Sequence, residues 1–363
     1  MIITLIILAI IMLLIIIFNK RAVPAFLYHQ VNPISNVSPK LFEEHLKVIK
    51  EYKMNTITIS EFYNKEVPTN SILLTFDDGY FDNYKYVFPL LKKYNMKATI
   101  FLNTLYIMDK RETEPEIKDN NTVNLEAMKE YIKSGKATIN QYMSWEEIKE
   151  MYDSSLIDFQ AHSHKHMAMF VDTKIEGLTN KNKMEAPELY LYGELQDNFP
   201  SFPKRGEYTG KAILIKKEFF NIFKEFYEKN IENKITDKNE ILKKCQEFID
   251  ENKEYFSIES EAEYRKRIEE DFSENKKIIE KNLGNEVKFF CWPWGHRSKE
   301  TIKVLKELGV VGFISTKKGT NSMTANWNMI RRIELRNYSV KKFKINLLLA
   351  RNLILGKIYG WIS

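Results

Sequence analysis

Cysteine is scarce in this chain, and so is any large excess of charge of one sign. The 363 residues include two cysteines, Cys245 and Cys291, which lie far apart, so we predict neither a disulfide framework nor a cysteine-rich zinc site. The formal net charge is +6, and the lysines and arginines do not form the blocks that bind nucleic acid, so we exclude DNA and RNA as partners. The apolar and charged fractions, 44% and 29%, are those of a globular protein with a substantial core.

Long apolar runs are rare as well, with one exception at the N-terminus. Residues 2–18, IITLIILAIIMLLIIIF, carry no charge and reach the lower end of the ~17–25 residues that a membrane-spanning helix needs. A cleaved signal peptide would carry positive charge before the apolar run and a small-residue cleavage site after it, and neither is clear here. We therefore predict an uncleaved transmembrane anchor over residues 1–20.

After the apolar run, short strand-like segments alternate with amphipathic helices. VPAFLYHQV predicts a strand, and SPKLFEEHLKVIKEY predicts a helix with Ser38 at the N-cap and Pro39 at the first helical position. SWEEIKEMY begins with a capping box formed by Ser144 and Glu147. Strands and helices that alternate at this spacing indicate parallel βα units, arranged as a barrel or as a doubly wound sheet.

Three segments depart from this alternation. Residues 109–142 are polar and weakly patterned, and residues 170–262 are rich in lysine, glutamate, asparagine and aromatics, with a predicted helix in KKEFFNIFKEFYEKN. We interpret both segments as insertions into one domain. In residues 339–363, apolar residues recur at helical spacing, with lysine and arginine on the other face. This pattern predicts a helix that either packs on the domain or lies on a membrane surface.

Two adjacent carboxylates raise the first functional question. In SILLTFDDGYFDNY, residues 71–84, a strand-like run leads directly into Asp77 and Asp78. An ordinary turn is one explanation, because aspartate and glycine are favoured in turns. A bound cation is the other, because it would relieve the repulsion between the two like charges.

Histidines follow another predicted strand in the same way. AHSHKH places His162 and His166 after LIDFQA, and in parallel α/β folds the carboxyl ends of the strands share one edge of the sheet. Two imidazoles and one carboxylate would give three protein ligands and an open position, as in catalytic zinc sites. The second aspartate would then be available to accept a proton from the attacking water.

Three motifs together resemble a known family. TFDDGY, AHSHKH and FFCWPWG, in this order and each at a predicted strand end, are similar to the first motifs of the polysaccharide deacetylases, the NodB-homology or carbohydrate esterase family 4 enzymes. The resemblance covers about residues 23–336 apart from the two insertions, and LYHQV with WPWG is most similar to the branch that deacetylates poly-N-acetylglucosamine. It implies a distorted (β/α) barrel over residues 23–338. It also implies a metal-dependent hydrolase that removes N-acetyl groups from a polysaccharide or another N-acetylated glycan.

The resemblance also implies roles for individual residues. Asp77 matches the general base of the family, and Asp78, His162 and His166 match the ligands of a divalent metal ion. Zn²⁺ is the expected ion, with Co²⁺ or Ni²⁺ as alternatives. The third motif is expected to form a wall of the substrate groove with Pro293, Trp294 and Gly295.

The chain departs from the family pattern in two places. Many family members carry an arginine where this chain has Cys291, and the late histidine that protonates the leaving amine is absent from NMIRRIELRN. His29, His164 and His296 are either candidate acids or hydrogen-bonded polar residues beside the site, whereas we predict His45 to be an exposed helix residue. A deacetylase-like module that binds glycan at the membrane without turnover is therefore the alternative function.

The location of the catalytic domain rests on the resemblance. Polymeric glycans lie mostly outside the cytoplasm, so we predict an extracytoplasmic domain, although Lys20 and Arg21 after the apolar run favour the opposite orientation. Because barrels vary their function through loops on the catalytic face, we expect the insertion at residues 170–262 to border the groove. Within it, Arg205 and Tyr208 lie in a turn-rich segment, and we interpret them either as sugar contacts or as residues of an ordinary surface loop.

Overall fold

Eight strands form one parallel sheet in the structure, a computed structural model that describes residues 2–18, 22–336 and 339–362. Its two end strands approach each other, because Ile314 bridges Ile330 and the Arg332 N–H donates to the carbonyl oxygen of Lys317. The predicted α/β class with a barrel-like parallel sheet is confirmed. The strands follow the order Gly312–Ile314, Phe289–Cys291, Ile157–Ser163, Ala98–Asn103, Ser71–Phe76, Ala25–Tyr28 and Ile333–Glu334, with Asn55–Ile57 beside the start of Ser71–Phe76.

The helices begin where their capping residues predict. The side chain of Ser38 accepts the N–H of Leu41, and the Ser144 capping box forms with Glu147 as predicted. Apolar faces of the helices cover the sheet and complete one large core. The described helices longer than four residues are Ile2–Phe18, Pro39–Glu51, Ile59–Tyr63, the π-helical turn Asn83–Val87, Phe88–Tyr94, Asn120–Ser134, Trp145–Asp153, Ala186–Tyr192, Lys217–Asn230, Lys238–Glu251, Glu261–Leu283, Lys299–Glu307, Val340–Ala350 and Leu353–Ile362.

The two insertions fold differently from each other. The first supplies one helix, Asn120–Ser134. The second contains the predicted helix, at Lys217–Asn230, but it is not purely helical, because it also holds short antiparallel strands. It has its own aromatic core, built from Phe170, Tyr192, Phe199, Phe202, Phe219, Phe220 and Phe223 among others.

The N-terminal apolar run forms one helix, Ile2–Phe18, of 17 residues. Its side chains at residues 2–10 are exposed. No helix that the structure describes is both long enough and apolar enough to cross a membrane. The transmembrane anchor predicted for residues 1–20 therefore has no support from the structure.

The C-terminal segment forms two helices where we predicted one. The break follows Ala350, and the side chain of Asn352 accepts two backbone N–H groups at the start of the second helix. Phe343 in the first helix is buried and stacks on His45, with 4.1 Å between the ring centroids. The prediction that His45 is exposed is therefore wrong, because this helix covers it.

Candidate active site

The two aspartates lie where the central strand of the sheet ends. Asp77 and Asp78 directly follow Ser71–Phe76, and the Asp77 N–H donates to the carbonyl oxygen of Tyr28 on the neighbouring strand. Asp78 has a φ of +78°, in the left-handed region that non-glycine residues seldom adopt. Strained backbone of this kind clusters at functional sites, because the surrounding structure must hold it there.

Asp78, His162 and His166 come together as a group that could hold a metal ion. Their ligand atoms lie within 4.8 Å of one another, with 3.4 Å from Asp78 Oδ1 to His162 Nε2 and 3.6 Å to His166 Nε2. A tetrahedral Zn²⁺ with bonds of about 2.0–2.1 Å would separate its ligand atoms by about 3.4 Å. The distances from Asp78 to the two imidazoles are therefore close to those that such an ion requires.

Neighbouring groups fix the orientation of these ligands. His162 Nδ1 donates to the carbonyl oxygen of Cys291 at 2.8 Å, which leaves Nε2 to face Asp78. The Asn103 side-chain amide donates to Asp78 Oδ1 at 2.9 Å. Burial lowers the pKa of His166 to about 4, so its ring is neutral near pH 7, as a metal ligand requires.

The helix Glu261–Leu283 holds the loop between His162 and His166 in place. The buried carboxylate of Asp271 accepts the N–H groups of His164 at 2.9 Å and Lys165 at 3.1 Å. Asn275, one turn later on the same helix, donates to the carbonyl oxygen of Ser163. These bonds fix the backbone between the two candidate ligands, and the sequence analysis had not identified either residue.

Asp77 is paired with a buried arginine from the far end of the domain. Arg332 Nη1 donates to Asp77 Oδ1 at 2.7 Å and Nη2 donates to Oδ2 at 2.8 Å, while Arg332 Nε donates to the carbonyl oxygen of Ser315. Burial would raise the pKa of the Asp77 carboxyl, but the guanidinium outweighs this and lowers the pKa below its usual value. Asp77 is therefore ionised at neutral pH, as a general base must be.

Arg332 lies beside Cys291, the position at which the third motif lacks the arginine of many family members. Its Nη2 lies 3.0 Å from the sulfur of Cys291, and that sulfur lies 3.4 Å from Asp77 Oδ2. Sequence reasoning missed Arg332, because nothing about one arginine before a two-residue strand distinguishes it from other basic residues. Its complete burial is the property that sets it apart, and burial is a tertiary feature.

His29 lies at the same edge of the sheet as the aspartates. It follows the strand Ala25–Tyr28, its side chain is 35% exposed, and its Nδ1 lies 4.0 Å from a carboxylate oxygen of Glu334. Burial raises the pKa values of Asp77 and Asp78, and nearer charged groups outweigh it; the imidazole of His29 adds a smaller lowering of both pKa values. Its partly open ring borders the site.

The other two candidate histidines make local hydrogen bonds. His164 Nδ1 pairs with the hydroxyl of Thr104 at 3.0 Å, and His296 Nδ1 accepts the backbone N–H of Gly206 at 3.0 Å. Burial lowers the pKa of both rings, which keeps them neutral near pH 7. His296 thereby ties the second insertion to the third motif.

The third motif forms one rim of the site, as a single turn over Pro293–Gly295. Trp294 has a φ of +59°, its side chain is 44% exposed, and its ring centroid lies 5.0 Å from that of His166. Gly206 of the second insertion packs against it, and a Cβ there would lie 2.9 Å from Trp294 Cδ1. The indole is thus held beside the candidate metal ligands while one part of it stays open to solvent.

The two insertions and the barrel enclose a pocket of about 470 Å³ over the candidate metal ligands. This volume is within the ~300–1,000 Å³ of typical small-molecule sites. The barrel and the third motif contribute Asp78, His166 and Trp294 to its lining, and the insertions contribute Asn120, Asn124 and Lys183 among others.

The structure brings the second insertion to the pocket through residues other than Arg205 and Tyr208. Tyr208 is fully buried, and its hydroxyl donates to Asp271, so the interpretation of Tyr208 as a sugar contact is wrong. Arg205 is exposed on a short strand that pairs with Ala168–Phe170, and it does not line the pocket. The insertion reaches the pocket instead with residues 182–187.

Comparison with known proteins agrees with this geometry. The polysaccharide deacetylase family model matches residues 64–190 and 230–313, which is more than half of the chain. A poly-β-1,6-N-acetyl-D-glucosamine N-deacetylase of Staphylococcus aureus is 27% identical over 183 residues, which are 49% of this chain and 52% of that protein. The chain spans about half or less of the length of the curated relatives that it matches.

Solved structures show the same fold at low sequence identity. A de-N-acetylase from Aggregatibacter actinomycetemcomitans has a TM-score of 0.57 and 17% identity, over 89% of this chain and 99% of that one. The BpsB deacetylase domain from Bordetella bronchiseptica has a TM-score of 0.56 and 18% identity, over 87% and 97% of the two chains.

Proposed function

Because this chain belongs to the polysaccharide deacetylase family, we propose that it hydrolyses the acetamide groups of an N-acetylated glycan. One observation carries the proposal. The candidate metal ligands Asp78, His162 and His166 and the ionised carboxylate of Asp77, which pairs with Arg332, lie together at one edge of the sheet, beside one pocket. The S. aureus relative is named for poly-β-1,6-N-acetyl-D-glucosamine, so we propose this polymer as the first substrate to test.

The chain's own side chains divide the chemistry between them. Asp78, His162 and His166 would hold a divalent ion, which when bound polarises the acetamide carbonyl and lowers the pKa of water. Asp77 takes the proton of the attacking water, and Arg332 keeps its carboxylate ionised and oriented. Asn103 and the carbonyl of Cys291 hold the ligands in place.

We assign protonation of the leaving amine to His29. Of the three candidate histidines, it is the one that borders the site without a short hydrogen bond to a neighbouring residue among those that the structure describes. A His29→Gln variant should keep its bound metal but lose about 10²- to 10⁴-fold in kcat, the usual contribution of a general acid. His296→Gln is the control. A loss of kcat in His296→Gln, with kcat unchanged in His29→Gln, would move the role to His296.

The metal site is tested by removing one ligand. His166→Ala should abolish stoichiometric binding of Zn²⁺, measured by elemental analysis after dialysis, because two protein ligands remain where three are needed. Its circular dichroism spectrum should match that of the wild type. His164→Ala lies in the same loop outside the ligand group and should bind one ion. Full occupancy in His166→Ala would disprove the ligand assignment.

The alternative function is a glycan-binding module without turnover. Two departures from the family pattern suggested it, and the structure weakens one of them. The two departures are the arginine missing at Cys291 and the absent late histidine, and Arg332 supplies an arginine beside Cys291. Acetate release from poly-β-1,6-N-acetylglucosamine oligomers with added Zn²⁺ or Co²⁺ decides between the two functions. Saturable oligomer binding without any acetate release would favour the binding module.

We also propose, on the family resemblance alone, that the domain works outside the cytoplasm. Reporter fusions placed after Arg336 test this location. A reporter that is active only in the cytoplasm would overturn it.

A further inference from the structure

Asn120 and Asn124 line the pocket from the first insertion, residues 109–142, where they lie on the helix Asn120–Ser134. We call this part of the pocket lining the insertion side. Asn120 Oδ1 accepts the hydroxyl of Tyr80 and the side-chain amide of Asn124, the latter at 2.8 Å. Asn124 Oδ1 accepts the hydroxyl of Tyr142. The oxygens of both amides are therefore turned towards buried tyrosines.

The tyrosines fix this orientation. Tyr80, Tyr106 and Tyr142 form a buried stack, with ring centroids 5.1 Å apart for Tyr80 and Tyr142 and 4.7 Å apart for Tyr106 and Tyr142. A buried phenol hydroxyl needs an acceptor, and the two amide oxygens supply it. Rotating either amide by 180° would set its N–H groups against these hydroxyls and would lose the acceptors.

The orientation leaves amide N–H groups for the pocket. Each asparagine has two side-chain N–H donors, and Asn124 uses one of them on Asn120. The side-chain nitrogen of Asn120 makes no hydrogen bond to any residue that the structure describes, and both asparagines line the pocket. The insertion thus presents an array of up to three donors to the pocket, and a ligand with acceptor oxygens can bind them.

The position of this array determines which part of a ligand it meets. The reacting acetamide must reach Asp78 and His166, which lie on the barrel side of the same pocket. The insertion side therefore faces a part of the glycan that does not react. Hydroxyl and acetyl oxygens of a neighbouring sugar ring are acceptors of the required kind, and amide donors are neutral, so an uncharged glycan suits them.

We propose that Asn120 and Asn124 form a subsite for the sugar ring next to the one that is deacetylated, so that the enzyme selects a chain over a single sugar. The proposal rests on the proposed deacetylase function. It assigns to the insertion at residues 109–142, through its one helix, the recognition of substrate length.

Asn120→Asp separates recognition from folding. The aspartate keeps an oxygen for Tyr80 and for the amide of Asn124, but it replaces the two donors with an acceptor that repels sugar oxygens. With the pentamer of β-1,6-linked N-acetylglucosamine, KM should rise about tenfold while kcat stays within about twofold. With the monosaccharide, KM should rise by a smaller factor than with the pentamer.

The control is Asn230→Asp, an exposed asparagine at the end of the helix Lys217–Asn230 and outside the pocket. It should behave as the wild type on both substrates. An unchanged KM for the pentamer in Asn120→Asp would overturn the subsite, as would a wild type that processes monomer and pentamer equally well.

Binding without turnover keeps this inference separate from the proposed function. The pentamer is titrated calorimetrically into two inactive variants, Asp77→Asn alone and Asp77→Asn combined with Asn120→Asp. The double variant should bind the pentamer about tenfold more weakly than the single variant. Equal affinities would overturn the subsite even if the wild type released no acetate. Absence of acetate release with a tenfold affinity difference would overturn the deacetylase function alone.

Discussion

Asp77→Asn is expected to retain its metal ion and to lose about 10²- to 10⁴-fold in kcat, the usual contribution of a general base. The amide has nearly the shape of the carboxylate and still accepts one hydrogen bond from Arg332, so the ligand group beside it should stay assembled. What the variant lacks is an oxygen able to take the proton of water. Acetate release and zinc content, measured on the same preparation, check both parts of the expectation.

A half-buried aspartate elsewhere in the sheet provides the control. Asp158, on the strand Ile157–Ser163, accepts hydrogen bonds from Ser60 and Gln160 and does not line the catalytic pocket. Asp158→Asn should therefore keep kcat within about threefold of the wild type. If Asp77→Asn were as active as this control, the base would have to be another residue, and His29 would be the next one to test.

Arg332→Met is the second substitution with a large expected effect. Removing one partner of a buried ion pair leaves the other charge uncompensated, which costs about 3–5 kcal/mol of stability. Without the guanidinium, burial would raise the pKa of the Asp77 carboxyl and make it a poorer base, so kcat should fall at least about 10²-fold. Urea unfolding measures the first effect, and acetate release at a temperature where the variant is folded measures the second.

A second substitution distinguishes the electrostatic role of Arg332 from packing. Its guanidinium and the sulfur of Cys291 both contact Asp77, so an arginine introduced at position 291 could fill the space that Arg332→Met vacates. The double variant Cys291→Arg with Arg332→Met should recover at least tenfold in kcat over Arg332→Met. Recovery of stability without any recovery of kcat would mean that Arg332 serves folding alone.

The pairing of Asp77 with Arg332 also explains why the sequence looked incomplete. The family arginine stands in the third motif, two residues before Pro293, and here that position is Cys291. Two positions in different strands can direct a side chain to the same point when both strand ends meet at one edge of a barrel. A residue missing from a linear motif is therefore weak evidence against catalysis.

Local pattern was sufficient for the main elements of the site. Asp77, Asp78, His162 and His166 could be placed before the structure was known, because strand ends follow from short-range hydrophobicity and because parallel strands share one edge. The helix starts at Ser38 and Ser144 followed from capping residues within one turn. Interactions of this range are contained in a few consecutive residues.

Contacts between distant segments were not accessible in this way. Tyr208 was interpreted as a sugar contact or a surface-loop residue because it lies in a turn-rich segment, but burial against Asp271 decides its role. His45 was predicted to be exposed, and a helix almost 300 residues later in the chain covers it. In both cases the deciding partner belongs to another element, and no local pattern encodes which face will be covered.

The sequence by itself determined the parallel α/β scaffold, the strand-end location of the carboxylates and histidines, and the resemblance that gives them roles. Only the tertiary structure decided that Arg332 pairs with Asp77, that Asp271 and Asn275 hold the histidine loop, and that both insertions wall one pocket. The physical reason is the range of the interactions. Periodicity and capping act within a few residues, whereas burial and ion pairing depend on which strands and helices become neighbours when the sheet curves.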